Sequence, residues 1–232
     1  MSRPRAFLAI ALLCAVSLAG CSKDKPAGDL PSGASLVSDS AAKTKTLKSA
    51  HIKIETEGEV SGLPVRRAEG DLLRTGDAKG TIQLAQLGVL VEYQFVVVGK
   101  DIYLKGVTGG FQKLDASVAK QIYDPTAILD PDKGIAKVLS TATNPTTEAE
   151  EKVDGKDAYR VAVNLSGDAV SALVPNITGQ VTGKVWIDKN TKDMLKAVLT
   201  VPGPSAGAGA GKSGTVTITE TNIDTPVTVS AP

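Results

Sequence analysis

VLVEYQFVVVGKDIYLK, residues 89–105, decides the fold class. In an extended chain Val89, Val91, Tyr93, Phe95 and Val97 share one face, and Leu90, Glu92, Gln94, Val96 and Val98 form a mixed second face. That pattern is a strand with one buried side. Gly99-Lys100-Asp101 then turns the chain, and Ile102 to Lys105 runs back. Two alternating runs joined by a tight turn form a hairpin, the unit of antiparallel sheets.

The same period of two extends in both directions. Upstream, Ile52 and Ile54 alternate with Lys53 and Glu55 after His51, residues 65–74 form a further extended segment, and Ile82 and Leu84 share a face in 81–86. Downstream, strands are expected over 146–153, 156–165, 181–188, 194–201 and 215–223, with Val161, Val163 and Leu165 on one face of the second. Asp154-Gly155 and Asp188-Lys189-Asn190 supply turn residues between them. Helical spacing interrupts the strands. Leu36 to Ser49 carries Leu36, Val37, Ala41, Ala42 and Leu47, with lysines toward its end where a helix favours cations. Asp124-Pro125 and Asp130-Pro131 each join a good N-cap to a proline suited to the first helical position. The first pair predicts a short helix containing Ile128 and Leu129; the second predicts one with Ile135, Val138 and Leu139 as an apolar stripe. Ser166 is the expected cap of another short helix, reaching Val174. The class is α+β: a large antiparallel sheet with helices covering one face.

The N-terminus is an address. Arg3 and Arg5 precede an uncharged run from Ala6 to Ala19, too short for an ordinary membrane span. It ends Leu18-Ala19-Gly20-Cys21, a lipobox. The expectation is a signal peptide over 1–20, cleavage before Cys21, and diacylation of Cys21 as the anchor in the cytoplasmic membrane, with the protein exported and facing the cell envelope. Residues 21–35, rich in Ser, Gly, Pro and charge, read as a linker, and 36–232 as a single domain. After cleavage Cys21 is the one remaining Cys, so no intramolecular disulfide can form.

Composition removes whole classes of function. One His and two Cys cannot build a zinc site of several His and Cys ligands or a four-thiolate iron–sulfur cluster, and no cofactor is expected. A Ser-His-Asp device would have to use His51. A net charge of +1 gives no electrostatic case for nucleic acid. AGAGAGKS at 206–213 mimics a phosphate loop, but a strand pattern follows where that loop needs a helix. Glu148, Glu150 and Glu151 read as a solvated strand edge, and Asp130 and Asp132 as capping residues. What remains is an aliphatic inventory with one Trp, four Tyr and three Phe in the whole chain. It suits a filled core and a lined cavity alike.

Several segments carry a resemblance: the lipobox at 18–21, LKSAHI at 47–52, FVV at 95–97, IYDP at 122–125, LDPDKGIAKVL at 129–139 and VWI at 185–187. With these the chain resembles the mycobacterial LprG/LprA/LppX lipoprotein family, LprG-like members above all. The resemblance implies a half-barrel, a strongly curved antiparallel sheet with helices on its concave side enclosing a hydrophobic cavity. It implies a carrier rather than an enzyme. The implied ligands are acylated glycolipids (phosphatidylinositol mannosides, lipomannan, lipoarabinomannan) or triacylglycerols, carried across the envelope, and a major-facilitator efflux transporter is an implied partner. On that reading the lining comes from Ile52, Ile54, Ile82, Leu84, Val89, Val91, Phe95 and Val97 of the sheet, with Ile82 foremost. Ile128, Leu129, Ile135, Val138 and Leu139 of the helices and Val161 and Val163 complete it. The alternatives are an envelope interaction protein with a packed core, supporting a transporter or contacting a host receptor, and a hydrolase of lipid esters.

Overall fold

The computed structural model describes residues 30–58, 60, 63–115, 127–171, 173, 177, 179–203 and 211–232. The lipobox, Cys21, Asp124-Pro125 and the Ala206–Ala210 run lie outside the described residues.

The strands are β1 (Ser49–Glu57), β2 (Val65–Leu73), β3 (Ala78–Gln86), β4 (Val89–Val98), β5 (Asp101–Lys105), β6 (Gln112–Leu114), β7 (Thr143–Val153), β8 (Lys156–Ser166), β9 (Gln180–Asp188), β10 (Met194–Val201) and β11 (Gly214–Thr221). They make one antiparallel sheet in the order β6-β5-β4-β3-β2-β1-β11-β10-β9-β8-β7. Two meanders, β1–β6 and β7–β11, are thus joined edge to edge by pairing β1 with β11. The sheet curls but does not close, leaving β6 and β7 as its edges.

The expected alternation is what gives the sheet its two faces. Following register from strand to strand, Val161, Val185, Ala197, Ile218, Ile54, Ala68, Ile82 and Tyr93 form one row across eight strands on the concave face. A parallel row runs Glu220, Ile52, Gly70, Gly80, Phe95 and Leu104. The convex face is charged. Arg160 bonds Glu148 (2.8 Å) and Glu151, Lys184 reaches Glu148 (3.0 Å), and Trp186 Nε1 donates to Glu151 (2.8 Å); Glu150, opposite Tyr159 on the other side of β7, meets Lys189 (2.8 Å). The acidic run is therefore a paired network on edge strand β7 rather than a bare solvated edge. Lys184 beside Glu148, reinforced by Arg160, holds that carboxyl below the usual range against a small desolvation.

Three helices occur among the described residues: α1 (Gly33–Thr44), α2 (Ile135–Ser140) and α3 (Gly167–Ser171). α1 begins three residues before Leu36 and ends well before Ser49. It buries Leu36, Val37, Ser40, Ala41 and Thr44 against α2 and against β7, β8 and β9. Its start lies tight on the edge strand: a Cβ on Gly33 would sit 2.6 Å from the Pro145 carbonyl. α2 corrects the Asp130-Pro131 expectation. Asp130 Oδ1 does accept from the N–H groups of Asp132 (2.8 Å) and Lys133 (3.1 Å), but that closes a turn, and the helix starts only at Ile135. The turn folds back on itself, with Gly134 N–H on Asp130 O (2.8 Å) and Ile135 N–H on Ile128 O (3.0 Å). Ile128 and Leu129 likewise sit in a buried turn and not in an α-helix. Ser166 caps α3 as expected, its Oγ accepting from Ala169 N–H at 3.2 Å. Lys212-Ser213 leads directly into β11, so no helix follows the glycine run.

Candidate functional site

Among the described residues, the two halves of the concave face are covered differently. Over β8–β11 the helices descend onto the sheet: Ile135, Val138 and Leu139 meet Leu165, Val185, Met194, Ala197, Leu199 and Ile218, leaving only a narrow void. Val161 and Val163 are buried in this half. Over β1–β6 the face is hollow. A cavity of about 230 Å3 lies there, bounded by Ile52 and Ile54 of β1, Ala68, Gly70 and Leu72 of β2, Ile82, Leu84 and Gln86 of β3, and Tyr93, Phe95 and Val97 of β4. Ile102, Leu104 and Leu114 line it from β5 and β6, and Ile128 closes over it from the turn before α2. Glu69, whose carboxylate is engaged with Arg67 and His51, touches it beside Gly70. The space exceeds the roughly 150 Å3 of an engineered apolar cavity that takes up benzene.

Sequence explains the hollow. Gly70 and Gly80 face each other across β2 and β3. A Cβ on Gly80 would lie 2.7 Å from the Gly70 Cα and closer still to the Glu69 carbonyl, so the two backbones approach as only glycine permits. In the row through Ile52 and Phe95 these positions contribute no side chain, and Ala68 beside them contributes only a methyl. The floor is therefore bare backbone, while long side chains on β1, β3 and β4 make the walls.

Of the residues expected to line a cavity, the structure brings together Ile52, Ile54, Ile82, Leu84, Phe95, Val97 and Ile128. It places the others elsewhere. Ile135, Val138 and Leu139 belong to the helical cover of the second half, Val161 and Val163 to the core beneath it, and Leu129 to the buried turn. Val91 shares the right strand face but does not touch the cavity, and Val89 is exposed at the strand's start. Tyr93, Ile102, Leu104, Leu114 and the small floor residues were not anticipated. Tyr93 sits on the same strand face as Phe95, and the Gly70/Gly80 spacing was the available signal for the floor.

Two ionisable sites flank this geometry. On the convex face His51 is half-buried, with Nδ1 2.7 Å from Asp71 Oδ1 and Nε2 3.3 Å from Glu69 Oε1. Burial pulls its pKa down, but the two carboxylates outweigh it and raise the value above 6.5. Both ring nitrogens are taken, and the imidazole faces away from the cavity. On the concave face Glu220 is buried at 2% exposure, and neither carboxyl oxygen has a hydrogen-bond partner. Desolvation, with a contribution from Asp193, pushes its pKa up to about 8. Asp193 itself lies 3.7 Å from Lys43 Nζ of α1. Among the described residues no group of His, Cys, Asp and Glu could hold a metal ion, and no helix is long and apolar enough to cross a membrane.

An open, strongly curved antiparallel sheet with an apolar hollow on its concave face defines a half-barrel with an interior cavity. The family follows from comparison. A family model described as LppX_LprAFG lipoprotein matches residues 32–229, and the chain belongs to that family. The chain is 37% identical over 216 residues to a Mycolicibacterium smegmatis protein named "Lipoarabinomannan carrier protein LprG", covering 88% of this chain and 91% of that one. It is 35% identical over 190 residues to the Mycobacterium tuberculosis protein of the same name, covering 78% and 80%. Two solved structures share the fold. LprF from Mycobacterium bovis gives a TM-score of 0.74 at 24% identity, covering 86% of this chain and 96% of that one. LppX from Mycobacterium tuberculosis gives 0.63 at 20%, covering 85% and 98%.

Proposed function

We propose that this protein is a membrane-anchored carrier that holds the acyl chains of a glycolipid, of the lipoarabinomannan or phosphatidylinositol mannoside type, or of a triacylglycerol, and moves it across the cell envelope. The observation that carries this reading is the cavity of about 230 Å3 on the concave face, walled by aliphatic and aromatic side chains over a glycine floor. The names of the LprG relatives support the cargo class. Burial of an acyl chain supplies about 0.8 kcal/mol for each methylene the cavity takes, before the costs of ordering the chain. A sugar head stays at the mouth, where water satisfies its hydroxyls. Cys21 is the proposed site of acylation, and an efflux transporter of the major-facilitator class the proposed partner. The reading needs no catalysis: His51, held between Asp71 and Glu69, faces the opposite side of the sheet.

The test is Ile82→Trp. Ile82 is 8% exposed in the cavity wall, and an indole there occupies the hollow while the sheet retains its register. Native mass spectrometry of the protein from its own envelope is expected to show bound lipid on the wild type and little on the variant. A folded Ile82→Trp protein with full lipid occupancy removes the cavity from the mechanism.

A further inference from the structure

The largest apolar side chains left in solvent cluster at two turns. Leu87 is fully exposed, Val89 and Leu90 are about 60% exposed, and Val107 is 82% exposed. The first three form the tip of the β3–β4 hairpin; Val107 belongs to the β5–β6 turn. Neither QLGVLV at 86–91 nor GVTGGF at 106–111 contains a charge. The turns are neighbours beside one end of the cavity. Gly106 lies against the Tyr93 ring, where a Cβ would be 3.7 Å away, and the Tyr93 hydroxyl is 3.4 Å from Gln86 Oε1. Tyr93 and Gln86 both line the cavity.

The backbone at the tip sharpens the point. Leu87 has φ of 50° and Gly88 has φ of 83°, the left-handed pair that a two-residue hairpin turn requires. The β7–β8 hairpin meets the same need with Asp154 at 48° and Gly155 at 83°. Asp or Asn suits such a position, because its short polar side chain bonds locally and tolerates the left-handed region; leucine does neither. At Leu87 the chain therefore bears backbone strain in order to hold a large apolar side chain in water. A strained position that also breaks the solvation rule marks a surface that is used.

We infer that the uncharged hairpin tip at Leu87, Val89 and Leu90, together with Val107, inserts into the interfacial region of a lipid bilayer and so holds the adjoining end of the cavity against the membrane. This rests on the carrier reading and names the surface from which the cavity loads. A lipid surface is the favoured occupant for two reasons. The tip carries no charge to register a protein partner. The chain also reaches the sheet on β7, where Thr147 Oγ1 donates to Pro31 O (2.6 Å), four residues inside the strand's start at Thr143. Thr143 of that strand connects through register with Asn164, Thr182, Thr200 and Thr215 to Glu57, at the end of the sheet where the tip projects. Cys21 lies ten residues before Pro31, a reach of about 35 Å when extended, so an anchored Cys21 leaves the tip within range of the same bilayer.

The experiment uses the chain from Ser22 onward, which contains every described element and no acylation site. It measures flotation with protein-free vesicles of phosphatidylcholine and phosphatidylglycerol, and separately uptake of a fluorescent diacyl lipid from detergent micelles. Wild type is expected to float. Leu87→Asn should reduce vesicle binding about tenfold, the equivalent of one leucine side chain withdrawn from an apolar phase. It should leave micellar uptake unchanged and raise the melting temperature, because asparagine suits the turn. Val107→Asn, at a position free of left-handed strain, should reduce vesicle binding without that rise. Vesicle binding by Leu87→Asn and Val107→Asn equal to wild type overturns the inference, as does a wild type that ignores vesicles. Binding to native envelope membranes but not to protein-free vesicles overturns it in favour of a protein partner. Loss of micellar uptake by wild type counts against the carrier reading instead, and the vesicle measurement still decides the tip.

Discussion

Glu220 gives a prediction whose sign and size both come from the structure. It stands on the concave face of β11, opposite Ile52 of β1, with no hydrogen-bond partner for either oxygen. Folding removes the carboxyl from water, and Asp193 nearby adds repulsion, so the folded pKa is about 8 against an ordinary value of 4.5. Below pH 4.5 the carboxyl is protonated in both folded and unfolded chains and costs nothing by ionisation. Above it the unfolded chain releases the proton and the folded chain keeps it. Stability from this group is therefore greatest below pH 4.5 and is lost progressively as pH rises to about 8. One pH unit corresponds to about 1.4 kcal/mol, so the loss is about 3 kcal/mol at pH 7 and about 5 kcal/mol above pH 8. Glu220→Gln keeps the shape and cannot ionise. It should match wild type near pH 4 and exceed it by about 3 kcal/mol at pH 7, which for a chain of this size is roughly 6–12 °C in melting temperature. Urea unfolding of both proteins at pH 4, 7 and 9 measures the difference, and Glu220→Leu serves as a second non-ionising variant in case the buried amide lacks partners. If the three proteins show parallel pH profiles, Glu220 is ionised or hydrated in the folded state, and the reasoning fails.

Two further substitutions probe other parts of the sheet. Gly80→Ala puts a Cβ onto the Gly70 Cα and the Glu69 carbonyl, backbone atoms that cannot swing aside; we expect a cost of about 2 kcal/mol in thermal or urea unfolding, and an unchanged stability would show that the β2–β3 approach is looser than described. His51→Gln removes an imidazole whose folded pKa is raised; wild type should be the more stable below pH 6.5, with the gap closing as pH climbs past the folded value, and a pH-independent gap would mean that Asp71 and Glu69 do not hold the charged form.

How far the sequence leads depends on which interactions decide each feature. Strand β4 was legible to the residue, from Val89 to Val98, because alternation and a flanking glycine turn are local signals. The 194–201 strand was equally plain. The three residues of β6 were not: a short edge strand exists only because β5 offers it partners. α2 starts later than Asp130-Pro131 suggests because a proline with a capping acid specifies a turn as readily as a helix, and packing of Ile135 decided between them. At the site the walls were legible and the floor was not. Ile52, Ile82 and Phe95 stand out as apolar residues on alternating faces. Gly70 and Gly80 matter through absence, and that is visible only when register sets them opposite one another. Val161 and Val163 carry the same pattern as Ile52 and Ile54; among the described residues, what marks Val161 and Val163 as core is that α1 and α2 lie over their half of the sheet.

That difference bears on how a hollow protein stays folded. The row from Val161 to Tyr93 is continuous, so the filled and hollow halves share one hydrogen-bonded sheet, joined where β1 meets β11. Helices α1 and α2 bury large aliphatic side chains over β8–β11, and that burial supplies most of the apolar stabilisation. The β1–β6 half forgoes contacts at its floor, each a loss of packing energy. A sheet stabilised at one end can hold the other in register without filling it, because strand pairing transmits geometry independently of what lies on the face. If so, the halves should respond differently to loss of a large side chain. Val185→Ala, under the helices, leaves an unfilled void and should destabilise by about 2 kcal/mol. Leu104→Ala, at the rim of a space that already exists, removes one wall contact and should cost less than 1 kcal/mol while lowering the affinity for lipid. Equal losses of stability from the two would mean that the hollow half is packed as tightly as the filled one, and that the cavity closes when empty.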